Sequence, residues 1–314
     1  MKIAFTTRLP EEGFSRLVER GLHDWSLVND NPSLVEDWHG AEILVSTFDY
    51  PVPREMIDAM PRLRMIANFG AGFNNIDLDA CRARGIRVTN TPQPVIEPTA
   101  ELAFALMIDI ARRVSEFDRK IRAGKAQLGV MCNLSHSLYG KTLGIIGMGR
   151  IGQAVARRAL ACGMKVMYYN RHKLPDEIEH KYGAEYVDFQ TLLQDSDFVS
   201  LNLPYTPEVH HMIGKPELGM MKRSACLINT ARGAHVDEQA LVEALKNGII
   251  AGAALDVYES EPQINTELLQ LENIVLSPHT GTGTWEGRIA MCECVSDNII
   301  AFLAGDTDKM NIIL

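Results

Sequence analysis

One segment constrains this chain more than any other: Lys141-Thr-Leu-Gly-Ile-Ile-Gly147-Met-Gly149-Arg-Ile-Gly152-Gln-Ala-Val-Ala-Arg-Arg-Ala-Leu160. An apolar run leads into a GxGxxG turn and then a helical pattern, and a second apolar run follows at residues 165–169. Strand, glycine turn, helix and strand in that order make a βαβ unit. In such a unit Gly147 permits the tight turn, Gly149 lets the backbone approach a pyrophosphate, and Gly152 lets the helix pack closely on the strand. The phosphates are expected on the helix N-terminus, beside Arg150 and Ile151, where unpaired N–H groups and the helix dipole favour negative charge. A purely structural glycine turn is the alternative, and the flanking strands argue against it.

The end of the second strand distinguishes dinucleotides, because an acid there accepts hydrogen bonds from the adenosine ribose and repels a 2′-phosphate. Here the residue is Asn170, followed by Arg171, His172 and Lys173. A guanidinium beside a neutral amide suits a phosphate, so NADP(H) is expected in preference to NAD(H), with NAD(H) possible. The competing reading is a solvated basic turn.

Before this unit, short apolar runs alternate with helix-like segments. Residues 2–6, 43–46 and 65–69 read as strands, and residues 11–20 and 54–60 as helices, the pattern of parallel βαβ units. The run from Asn68 to Asp77 is rich in residues that tolerate positive φ and should form a tight turn. Its amides suit an anion, although a plain strand-to-helix turn explains the composition equally. Pro92, Pro94 and Pro98 mark a boundary or hinge. After it, Thr99 is expected to cap one long helix over Glu101 to Gly124.

Three later segments each place a functional side chain just beyond a strand-like run: Arg232, Glu261 and His279. In an open α/β sheet, ligands gather at the carboxyl ends of strands, so these three can converge. Singly, each has a bland explanation as a surface charge, a helix-start carboxylate or a loop histidine. Proton transfer on a small anion needs a proton donor near neutral pH, a carboxylate to favour its charged form, and a planar cation to grip the anion. Those are the roles suited to histidine, glutamate and arginine.

With the glycine motif, Leu201-Asn-Leu-Pro204, Asn229-Thr-Ala-Arg-Gly233 and Ser277-Pro-His-Thr-Gly281, the chain resembles the D-isomer-specific 2-hydroxyacid dehydrogenases. Within that family the pattern looks most like the glyoxylate and hydroxypyruvate reductases. The resemblance implies an α/β fold, with a Rossmann doubly wound parallel-sheet cofactor domain (99–285) inserted into a smaller flavodoxin-like α/β substrate domain (1–98 and 286–314). It implies that Arg232 binds substrate, that His279 is the acid/base and Glu261 its partner, and that the Ala71 and Gly72 amides anchor the carboxylate. Leu203 and Pro204 should line the adenosine side. Thr230, Ala231, Asp256 and Gly281 should meet the nicotinamide half, although Asp256 also reads as a plain strand-end residue. Where many relatives carry a hydroxyl, this chain has Ile96. Trp285 and Met291 either shape the substrate side or belong to the core. The resemblance and the apolar faces of the helix after Pro98 point to a homodimer.

A non-catalytic NAD(P)-sensing interaction protein on the same fold, or a phosphoglycerate or phosphite dehydrogenase, are the competing readings. The intact Arg232, Glu261 and His279 favour an enzyme. With 31 Lys and Arg against 40 Asp and Glu, the formal charge of −9 disfavours nucleic acid or an anionic membrane as the main partner. The six cysteines show no CxxC or finger spacing, so no metal site is expected from them, and a reduced cytoplasmic chain is the simplest reading. The N-terminal residues lack a secretory pattern, and the most apolar span, residues 102–111, falls short of the roughly 20 residues that cross a bilayer.

Overall fold

The computed structural model describes residues 1–28 and 38–314. The chain divides into two compact units, one of Met1–Pro98 with Thr282–Leu314, the other of Thr99–Gly281.

The first unit holds five parallel strands: β1 (Lys2–Phe5), β2 (Asp24–Leu27), β3 (Ile43–Thr47), β4 (Met65–Phe69) and β5 (Arg87–Thr89). They lie in the order β2-β1-β3-β4-β5, the flavodoxin-like arrangement. β3 and β4 are buried at every position, as parallel strands covered on both faces must be. One core cluster includes Leu44, Ile57 and Ile66; another includes Phe5, Phe14, Phe69 and Val295. The helix Trp285–Ala304 closes this second cluster. Met291 lies there at 1% exposure, whereas Trp285 is 76% exposed. Of the two readings offered for these residues, Met291 takes the core one.

The second unit holds β6 (Thr142–Ile146), β7 (Lys165–Tyr169), β8 (Ala184–Tyr186), β9 (Phe198–Leu201), β10 (Cys226–Asn229), β11 (Gly252–Leu255) and β12 (Ile274–Leu276). Their order is β12-β11-β10-β9-β6-β7-β8, all parallel. The reversal beside β6 is the topological switch point of a dinucleotide-binding sheet, where ligands meet the carboxyl ends of strands.

The expected long helix after the prolines is corrected in two respects. It begins at Ile96 rather than at a Thr99 cap, and Thr99 is buried inside its first turns. Pro98 is compatible with this because a first-turn residue needs no intrahelical N–H bond. The helix then stops at Arg112, and a second one runs from Val114 to Arg122. Between them Arg113 adopts φ 57°. Its side chain bonds Glu116 at 2.7 and 2.6 Å and the Leu134 carbonyl at 2.9 Å, while Asp109 accepts from the Ser115 amide at 2.8 Å. These contacts reward a break that periodicity conceals. Gly124, at φ 65°, ends the second helix where expected.

Candidate active site

The glycine turn follows from the packing around it. Gly147 has φ 95°, and a Cβ there would stand 2.8 Å from the Asn202 carbonyl. A Cβ on Gly152 would stand 2.4 Å from the Gly147 carbonyl oxygen. At Gly149 a Cβ would meet nothing within 4 Å, and no side chain caps the helix Arg150–Ala161 that starts there. Two glycines are therefore demanded by the protein itself. The third leaves open space before uncapped helix amides, which fits a pyrophosphate. Arg150 is exposed and Ile151 half-buried beside these amides.

Asn170 plays a part the sequence does not disclose: its Oδ1 accepts from the Met148 amide at 2.8 Å, holding the glycine turn. Arg171 and His172 are exposed, whereas Lys173 is paired with Asp176 at 2.9 Å and Glu179 at 3.1 Å. An acid also stands within electrostatic reach of Arg171. The Thr206 hydroxyl, a backbone amide and the Arg171 charge hold the Glu208 carboxyl below its ordinary range. Leu203 is half-buried and Pro204 exposed at the carboxyl end of β9.

Beyond β10, Asn229 shapes the loop that carries Arg232: its Oδ1 accepts from the Ala231 amide at 3.0 Å and its Nδ2 donates to the Arg232 carbonyl at 2.8 Å. Thr230 and Ala231 are buried, and the Thr230 hydroxyl has no partner among the described residues. An orphaned buried hydroxyl costs free energy unless a ligand completes it, so the position fits the cofactor role expected of it. The Arg232 side chain donates to the Ala231 carbonyl at 2.6 Å. Burial lowers its pKa from the ordinary value, and the charge of Glu261 works in the opposite sense.

Gly233, whose role sequence reasoning missed, sets how close two loops can come. A Cβ there would lie 1.9 Å from the Tyr258 carbonyl carbon and 2.3 Å from the Glu259 amide nitrogen. Only a residue without a side chain lets the Arg232 loop rest on the segment leading to Glu261.

Glu261 and His279 are joined directly, with Oε2 2.6 Å from Nδ1. The second oxygen of Glu261 accepts from the Tyr258 amide at 2.9 Å. Burial raises the Glu261 pKa, but the bonds from His279 and Tyr258 and the charges of His279 and Arg232 outweigh it, so the carboxyl lies below its ordinary range. The histidine itself has φ 53°, a left-handed conformation that costs of order 1–3 kcal/mol and clusters at functional sites. Its neighbours hold it there. Tyr258 Oη donates to the Ser277 carbonyl at 2.8 Å, and buried Asp256 accepts from the Thr280 and Gly281 amides, each at 2.8 Å. Asp256 thus braces the histidine loop, a task beyond either role expected of it. Arg232, Glu261 and His279 are brought together in one unit.

In the first unit, the Asn68–Asp77 segment forms the expected turn. Asn68 Nδ2 donates to the Gly72 carbonyl at 2.7 Å, and Asn90 Nδ2 to the Ala71 carbonyl at 2.8 Å. Both bonds turn the carbonyls of Ala71 and Gly72 inward. Arg288, which sequence reasoning passed over, lies half-buried with its guanidinium 5.5 Å from the Phe69 ring centre.

Comparison with known proteins agrees with this architecture. Residues 104–281 match the family described as D-isomer specific 2-hydroxyacid dehydrogenase, NAD binding domain. The chain belongs to that family. It is 46% identical to a glyoxylate reductase of Thermococcus litoralis, over 97% of this chain and 94% of the relative. Among solved structures it is similar to an NADPH-dependent glyoxylate/hydroxypyruvate reductase of Sinorhizobium meliloti in complex with NADP and malonate. That match has a TM-score of 0.84 and 32% identity, and covers 96% of this chain and 93% of the other. It is also similar to a D-lactate dehydrogenase of Aquifex aeolicus with NAD and lactic acid, with a TM-score of 0.87, 30% identity, and coverage of 100% and 99%. The protein is an NAD(P)-dependent reductase of small 2-oxo acids. Among the described residues no helix is long and apolar enough to cross a membrane.

Proposed function

We propose that this enzyme reduces glyoxylate and hydroxypyruvate to their 2-hydroxy acids, hydroxypyruvate giving the D form, with NADPH as the preferred reductant. The observation that carries the reading is the 2.6 Å His279–Glu261 pair within electrostatic reach of Arg232. Similarity to glyoxylate reductases supports the substrate class, and the neutral Asn170 beside exposed Arg171 supports the cofactor choice.

Bound nicotinamide supplies the hydride. Gly147, Gly149, Arg150, Ile151 and Gly152 would hold its pyrophosphate, Leu203 and Pro204 its adenosine side, and Thr230, Ala231, Asp256 and Gly281 its nicotinamide side. Arg232 engages the substrate carboxylate and carbonyl through its planar fork, drawing charge toward the oxygen. His279 gives its proton to that oxygen as the alkoxide develops, and Glu261 stabilises the charged imidazole and fixes its orientation.

A panel of glyoxylate, hydroxypyruvate and bulkier 2-oxo acids, run with NADPH and NADH and with His279→Gln as control, tests this. The two short acids should give the highest kcat/KM, and Arg171→Ala should raise KM for NADPH far more than for NADH. Absence of turnover with every acid would sink the catalytic assignment, and equal effects of Arg171→Ala on both cofactors would sink the cofactor choice.

A further inference from the structure

We propose that His210, His211 and Glu259 form a binding site for one transition-metal ion of the zinc class, distinct from the His279–Glu261 pair. Potential ligand atoms of the three residues lie within 4.8 Å of one another. His211 Nε2 stands 2.5 Å from a Glu259 oxygen, and the two imidazoles stack with centres 3.9 Å apart and planes 20° from parallel. Imidazole nitrogens are common ligands of such ions.

The donor set selects the ion. Two nitrogens and one carboxylate oxygen, with water completing the shell, suit Zn²⁺, Co²⁺, Ni²⁺ or Cu²⁺, whereas Mg²⁺ and Ca²⁺ favour oxygen ligands alone. Ligands sharing a tetrahedral ion at about 2.0 Å stand about 3.3 Å apart, so the His211–Glu259 hydrogen bond must open and the two stacked rings must turn out of parallel for their in-plane lone pairs to meet one ion. Side-chain exposures of 34% for His211 and 31% for Glu259 leave the pair accessible from solvent.

The backbone already places two of these ligands. His211 is held at φ 50°, with its amide donating to the Ala234 carbonyl at 2.8 Å. The Glu259 amide donates to Glu238 at 2.6 Å. Ala234 lies two residues beyond Arg232, and Glu259 lies two before Glu261. An ion here would tie the His210–His211 turn, which bonds the loop after Arg232, to the segment leading to Glu261, and binding to the folded state alone would raise its thermal stability.

Tag-free full-length protein, stripped with a chelator and dialysed, is titrated with Co²⁺ while visible ligand-field absorption is followed, and with Zn²⁺ by calorimetry. The expected result is one ion per chain in the wild type and in His279→Gln. Affinity should fall at least tenfold in His210→Ala and in Glu259→Gln. His210 is exposed, so its alanine variant should fold, and its circular dichroism and melting temperature without metal would verify this. No binding by the wild type, unchanged affinity in folded His210→Ala, or loss of the ion in His279→Gln would each overturn the proposal.

Discussion

Replacing Glu261 by Gln removes one negative charge and changes little else in shape. The amide oxygen of glutamine can still accept from the Tyr258 amide, which Glu261 meets at 2.9 Å, so the loop should keep its course. What disappears is the charged acceptor of the 2.6 Å bond from the His279 Nδ1–H, because the amide NH2 takes the place of that oxygen. Such a bond contributes about 1.5–3 kcal/mol, and if it acts mainly on the charged imidazole, kcat should fall about 10- to 150-fold. KM for the 2-oxo acid should change by less than kcat, because Arg232 is left in place. Steady-state NADPH oxidation across pH, with single-turnover rates to isolate chemistry, would measure both effects. A kcat within about twofold of wild type at every pH, or an effect confined to KM, would refute the assigned pairing.

Gly233→Ala should destabilise the fold by about 1–3 kcal/mol, the usual cost of overpacking, and depress activity strongly, because its Cβ overlaps backbone rather than a movable side chain; a wild-type urea midpoint would contradict this. Glu208→Gln should lower KM for NADPH by removing a charge that competes for Arg171, and an unchanged KM would show that Arg171 does not read the 2′-phosphate against that acid. Burial pushes the His235 imidazole down to about 4. A depressed folded pKa means stability is fully present above the unfolded value of about 6.5 and lost as pH falls toward 4. His235→Phe should therefore lose less stability than wild type over that window, by at most about 3 kcal/mol, in melts at stepped pH. Arg113 foremost, together with Lys120 and against the opposing effect of burial, holds Glu116 down at about 2. Glu116→Gln should cost about 1–2 kcal/mol near neutrality, discounted for solvent at the edge of the cluster, and the difference from wild type should vanish as pH falls from about 4.5 to 2.

Local chemistry made much of this enzyme legible in its residue order. The glycine turn after β6 was readable because phosphate binding and close helix packing each leave a residue type at a fixed spacing. The strands were readable because parallel sheets bury both faces and leave short apolar runs. Arg232, Glu261 and His279 were readable as types following strands. Other features carried no such mark. Arg113 breaks a helix whose periodicity runs through it, because Glu116 and Leu134 reward the break. Asn170 turns inward to Met148, and Gly233 is fixed by the backbone of Tyr258, twenty-five positions away.

Sequence alone therefore determined the layered α/β class, the dinucleotide turn and the chemical types at the site. Tertiary structure decided that His279 meets Glu261, that Gly233 admits the loop beneath it, and that Asp256 braces the histidine. The reason is physical: spacing along a chain encodes periodicity and turn geometry, whereas contacts between distant segments depend on how the sheet stacks their loops at one edge.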